Sequence, residues 1–188
     1  MTTRWVVGVF SAAAAALLPC AALLAAPEQA PKPPAEMSNV KWFDGNWTCA
    51  GNAEPGPMGP GGKTTSTVKS HVNLGGFWQS GMVRSSMANM PAMEGMFHIT
   101  YDPGPKQYVM LWMDNMGGYS KETSSGWEGD KIAFGGSMAM GGKEMQVRDN
   151  FTKTGPASMK HDYEGQMDGK WTPMGSETCK RAAAATKK

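Results

Sequence analysis

The feature that most constrains this chain is residues 93–118, MEGMFHITYDPGPKQYVMLWMDNMGG. Runs of strand-forming residues flank Asp102-Pro103-Gly104-Pro105, a tetrapeptide suited to a tight turn, so the stretch reads as a β-hairpin. The same grammar recurs along the chain: short runs of strand formers between Gly, Pro and Asp punctuation, with almost no helical periodicity. Strands are expected over 41–50, 64–74, 77–85, 95–101, 107–115, 119–127, 131–140, 143–152, 157–165 and 170–181. Alternation is clearest where Met145, Val147, Asp149 and Phe151 interleave with Glu144, Gln146, Arg148 and Asn150. It is nearly as clear where Val68, Ser70, Val72 and Leu74 interleave with Lys69, His71 and Asn73. A period of two puts one set inside and the other in water. Connections such as Met167-Asp168-Gly169 are short, so neighbouring strands should be antiparallel. Only 51–62, GNAEPGPMGPGG, reads as a long loop, at a barrel rim. The expected class is all-β: about 8–10 strands closing into an antiparallel up-and-down barrel, which removes exposed sheet edges.

The N-terminus carries Arg4, then an apolar run rich in Ala and Leu that ends before Glu28. It reads as a secretory signal over 1–26 with small residues at the cleavage point, an uncleaved anchor being the alternative. A lipoprotein signal ending at Cys20 fits less well, because Pro19 stands where a small residue is wanted. Residues 27–39 form a Pro-rich linker, 40–181 the barrel domain and 182–188 a disordered tail. The mature protein is expected to be periplasmic or secreted and not membrane-embedded. The formal net charge is +2, and loss of the leader removes Arg4 and no acid, leaving +1. That balance argues against nucleic acid as a partner. The leaderless chain keeps only Cys49 and Cys179, one near each end of the domain. In an oxidising compartment such a pair is expected to form a disulfide. Free thiols or a thiol metal site are the alternatives, and no C-x-x-C spacing supports either.

Gly45-Asn46-Trp47 resembles the G-x-W pattern that opens calycin-type barrels, lipocalins among them. If Cys49 faces Cys179 across antiparallel strands, Trp47 must face Arg181 in the same register. A basic side chain over that tryptophan is what the calycin resemblance implies, and cation–π attraction supplies the physical reason. Further blocks extend the resemblance: GMFHITYDP, then KQYVMLWMDNMGG, GGKEMQVRD at 141–149, and the Leu74-Gly75-Gly76 turn before Phe77-Trp78. Together they resemble the bacterial family called domain of unknown function 1579, from about Trp42 to Arg181. The resemblance implies a lipocalin-like (calycin) barrel and brings no activity, cofactor or catalytic residue. The chain departs from that pattern in its Met-rich segment 85–96 and in its cysteine pair.

No nucleophile elbow, phosphate-cradling loop or dinucleotide fingerprint is present, and the histidines are three: His71, His98 and His161. Enzymatic activity and a cofactor are therefore not expected. Both faces of the 93–118 hairpin are largely apolar, more than one packed core requires, so one face is read as lining a cavity for a small apolar or amphipathic ligand. The candidate pocket residues are Phe97, Tyr101, Tyr108, Met110, Trp112, Asp114, Met159, His161 and Tyr163. A turn-capping role for Asp114 and haem ligation by His161 are the competing readings of those two. The alternative to a ligand pocket is a Cu(I) site of thioethers and imidazole: Met87, Met90, Met93 and Met96 recur every third residue. If Tyr101 pairs with Tyr108, then Met96 faces Met113 and His98 faces Leu111, gathering Met96, His98 and Met113 on one side of the sheet. Plain packing by adaptable methionines, or a scaffold with no ligand, explains the same residues.

Overall fold

Met37, Val40 and Phe43 recur every third residue, a spacing that forms helical turns rather than the start of the strand expected over 41–50. In the computed structural model, which describes residues 30–56 and 59–183, they lie on α1 (Met37–Val40) and a following 3-10 turn (Lys41–Phe43). All three are buried. The expected linker 27–39 therefore gives way to core-forming chain at Met37. Gly45, with φ +115°, turns the chain out of this plug and into the first strand. The expected leader and the last residues of the expected tail lie outside the described residues.

The strands are β1 (Gly45–Ala53), β2 (Gly62–Asn73), β3 (Trp78–Met87), β4 (Met93–Asp102), β5 (Gln107–Asp114) and β6 (Tyr119–Ser124), then β7 (Trp127–Glu128), β8 (Lys131–Met140), β9 (Lys143–Gly155), β10 (Ser158–Met167) and β11 (Lys170–Arg181). The run expected over 119–127 is broken at Gly126, φ +112°, whose N–H is capped by Ser124 Oγ. β7 is left as a two-residue strand paired only with β8. The long loop is shorter than expected, because β1 and β2 stay paired out to Ala53 and Gly62. Every pairing is antiparallel, and β6 bonds to β8 while β1 bonds to β11, so ten strands close a barrel. In the β4–β5 hairpin Tyr101 pairs with Tyr108, Met96 with Met113 and His98 with Leu111.

At the seam Cys49 pairs with Cys179 and Trp47 with Arg181. The cysteines form a buried disulfide. The Arg181 guanidinium lies 4.4 Å from the Trp47 ring and donates to the Trp42 carbonyl. Around the plug, Trp47 Nε1 donates to Phe43 O at 2.9 Å and Phe43 packs edge-on against Phe151. Tyr108 Oη donates to Glu36 O at 2.9 Å and accepts from Asn39 Nδ2 at 3.2 Å. One end of the barrel is thus a sealed aromatic floor. Strand direction places residues 54–56 and 59–61 and loops 88–92, 115–118, 141–142 and 168–169 together at the other end, the rim.

Candidate functional site

Between the floor and the rim, the inward side chains leave a cavity of about 310 Å³. Its apolar wall is Phe97, Ile99, Met110 and Trp112 of β4 and β5, with Val68 and Val83 beside them. Glycines make room for the rings. A methyl group on Gly81 would overlap Phe97, and one on Gly95 would overlap Trp112. The rim is a collar of thioethers: Met87, Met90, Met93 and Met116 line one side of it, Met138 and Met174 the other. Gly59, with φ +141°, lies against Met87 and Met90. Met174 joins this collar because β11 carries a bulge opposite Tyr163 and Glu164, next to Pro173.

The wall formed by β6, β9, β10 and β11 is polar. His161 Nε2 lies 2.6 Å from Asp149 Oδ1 and its Nδ1 lies 3.3 Å from Glu177 Oε1. Ser66 Oγ donates to Glu177 Oε2 at 2.8 Å, and Ser120 Oγ to Glu122 Oε1 at 2.6 Å. The imidazole also stacks on Phe151, with ring centroids 4.3 Å apart. Burial opposes charge on His161, yet hydrogen bonds and charge from Asp149 and Glu177 outweigh it and lift the ring to about 10. Burial likewise pushes Asp149 and Glu177 up, but His161 holds both below their ordinary values. At Glu122 the lowering by Ser120 and His161 is outweighed. Burial, with Asp149 beside it, raises its carboxyl to about 9. Burial, then Glu177 and Asp149, raises Tyr163 to about 12. At neutral pH the set therefore holds an imidazolium, two carboxylates and one carboxylic acid. Glu122 is 2% exposed, lines the cavity and leaves Oε2 without a hydrogen-bond partner.

Of the pocket residues read from the sequence, Phe97, Met110, Trp112, Asp114, Met159, His161 and Tyr163 line the cavity. Tyr101 and Tyr108 do not: they meet edge to face, and Tyr108 is tied to the plug below the cavity. Asp114 caps the rim turn, accepting from Met116 N and Gly118 N at 2.9 and 2.8 Å and from Trp112 Nε1 at 3.1 Å. Both nitrogens of His161 are engaged by carboxylates, which leaves none to ligate haem iron. The Cu(I) set is divided by the barrel wall. Met87, Met90 and Met93 face inward at the rim. Met96, His98 and Met113 lie on the outer face, since residues three apart on a strand point oppositely. There Met113 is exposed and His98 bonds Ser80 Oγ at 2.9 Å. The six side chains cannot meet on one ion. The residues that sequence reasoning passed over are Glu122, Glu177, Ser66 and the role of Asp149.

A closed antiparallel barrel with a plugged floor, an open rim and an internal cavity is of the lipocalin-like class. More particularly, the chain belongs to the family described as Protein of unknown function (DUF1579), whose model matches residues 32–181. No curated protein matches it. Among solved structures it is similar to Rv2717c from M. tuberculosis, with a TM-score of 0.64 and 12% identity over 81% of this chain and 100% of that one. A fainter likeness is to the S-type phycobiliprotein lyase CPES from Guillardia theta, with a TM-score of 0.45 and 8% identity over 77% of this chain and 90% of that one. At such identities the first likeness speaks to the fold alone, and the second carries no argument. Among the described residues, no helix is long and apolar enough to cross a membrane.

Proposed function

We propose that the protein binds a small apolar or amphipathic molecule inside the barrel and performs no chemistry on it. The observation that carries this reading is the cavity of about 310 Å³, apolar on one wall and hydrogen-bonding on the other. Mostly apolar concave sites with a few convergent polar groups are the usual form of small-molecule pockets. The thioether collar suits an entry path, because methionine adapts its shape to what passes. His161 supports a binding role over a catalytic one: it is charged, with both nitrogens held, and so offers no base. An exported location, periplasmic or secreted, is part of the same proposal, supported by the leader-like N-terminus and by a disulfide suited to an oxidising compartment.

The test is fluorescence titration with the neutral apolar dye Nile red. Saturable one-to-one binding is expected, weakened at least tenfold by Val83→Trp, which fills the cavity with apolar volume. Binding that Val83→Trp leaves unchanged, in a variant that still unfolds cooperatively, would place the dye elsewhere and defeat the proposal.

A further inference from the structure

The polar wall restricts what the ligand's head group can be. This inference rests on the ligand-binding reading above and narrows it. Asp149 and Glu177 are spread over β9 and β11 with His161 of β10 between them, and each contacts a different ring nitrogen. No N–H of the imidazolium is left to receive an acidic ligand. Glu122 approaches from β6, and among the described residues the cavity lining includes no lysine or arginine. Two carboxylates against one imidazolium leave the wall one negative charge in excess. A buried, uncompensated charge is costly, and a cation in the cavity would relieve the cost.

Two further features fit a positively charged group. Glu122, 2% exposed, lines the cavity beside Asp149, and its buried Oε2 makes no hydrogen bond. The facing wall carries Trp112 and Phe97, and aromatic faces attract desolvated cations. We infer that the barrel takes an amphipathic organic cation, an amine with an apolar tail, whose ammonium group sits against Glu122, Asp149 and Glu177 while the tail lies among Phe97, Met110 and Trp112. Glu122 serves as the adjustable member of this set. It is a neutral acid in the empty cavity, and beside an ammonium group it ionises and gives its proton to solvent. Binding and proton release are thereby coupled one to one.

The experiment compares n-decylammonium, n-decanol and n-decanoate, which share one tail, by calorimetric titration of the intact protein in buffers of different ionisation heat. The amine is expected to bind at least tenfold tighter than the alcohol, and the carboxylate most weakly. Amine binding should release about one proton at pH 7, a signal that Glu122→Gln abolishes. Equal affinity for amine and alcohol, or a preference for the carboxylate, would overturn the inference and leave the pocket intact. Failure of all three ligands to bind would overturn the pocket as well. Proton release that persists in Glu122→Gln would also overturn the assignment, because that variant keeps the side-chain volume and the Ser120 contact.

Discussion

His161 Nε2 lies 2.6 Å from Asp149 Oδ1 inside the barrel, and the pair sets the sign of the protein's pH dependence. His161 is raised from 6.5 to about 10, so its contribution to stability is full below 6.5 and is lost as pH rises toward 10. Glu122 is raised from 4.5 to about 9, so the unfolded chain loses this proton first, and stability falls as pH rises from 4.5 to about 9. Asp149 and Glu177 are lowered, and their contributions are lost only as pH falls below ordinary carboxylate values. Between pH 6.5 and 9 the two raised groups act together. Urea unfolding should show stability declining with pH by up to about 1.4 kcal/mol per unit for each group. Glu122→Gln should flatten the slope; a parallel slope in that variant would contradict the assignment.

Removing His161 tests the same cluster from the other side. His161→Leu leaves Asp149 and Glu177 partly buried without their shared cation, and breaking a buried pair this way costs about 3–5 kcal/mol. The loss should shrink below pH 4, where the carboxylates take up protons. A uniform loss at all pH values would point to packing against Phe151 alone.

The seam joins residues 130 positions apart in the chain. Cross-linking so long a loop restricts the unfolded chain strongly, so Cys49→Ala with Cys179→Ala should cost about 2–5 kcal/mol. Arg181→Met should cost about 1–2 kcal/mol through the lost cation–π contact with Trp47. Urea midpoints with and without a reductant read both effects. Reductant should shift the wild type to the position of the double variant and leave that variant unmoved.

Why the barrel was legible and its polar wall was not comes down to phase. In β9 the inward phase reads Met145, Val147, Asp149, Phe151, so three apolar neighbours mark the face that Asp149 shares. The Cys49–Cys179 register fixed the Trp47–Arg181 pairing because a strand repeats every two residues. In β6 the inward phase is Ser120, Glu122, Ser124, which looks like a solvated strand, and nothing local says that it faces a cavity. Glu177 stands two residues before Cys179 and so shares its face, a signal available in the sequence and left unread. The helical plug was similarly present as the spacing of Met37, Val40 and Phe43, hidden next to a Pro-rich run.

Gly81 and Gly95 should control the shape of the cavity. A methyl group at either position overlaps an aromatic ring, Phe97 or Trp112. Each alanine variant should cost about 1–3 kcal/mol by overpacking. Displaced into the cavity, the ring should also weaken Nile red binding by more than tenfold. Alanine at Gly135, a strand glycine without positive φ whose methyl would make only an ordinary contact, is the control for the glycine-to-alanine change itself. Ligand affinity unchanged in the first two variants would mean the rings have room to turn aside.

The thioether collar gives the last prediction. Met87, Met90 and Met93 line the rim, where a sulfoxide would place a polar oxygen in an apolar entrance. Mild peroxide treatment should lower affinity for an apolar ligand several-fold, and methionine sulfoxide reductases should restore it. Replacing all three residues by Leu keeps the entrance apolar, so that variant should bind as the wild type does and resist peroxide. The same variant addresses copper. Met96, His98 and Met113 lie across the wall from the rim methionines, so no shared Cu(I) site is expected, and neither protein should compete with a Cu(I) chelator. Competition by the wild type that disappears in the Leu variant would show instead that the rim sulfurs alone suffice to hold the ion.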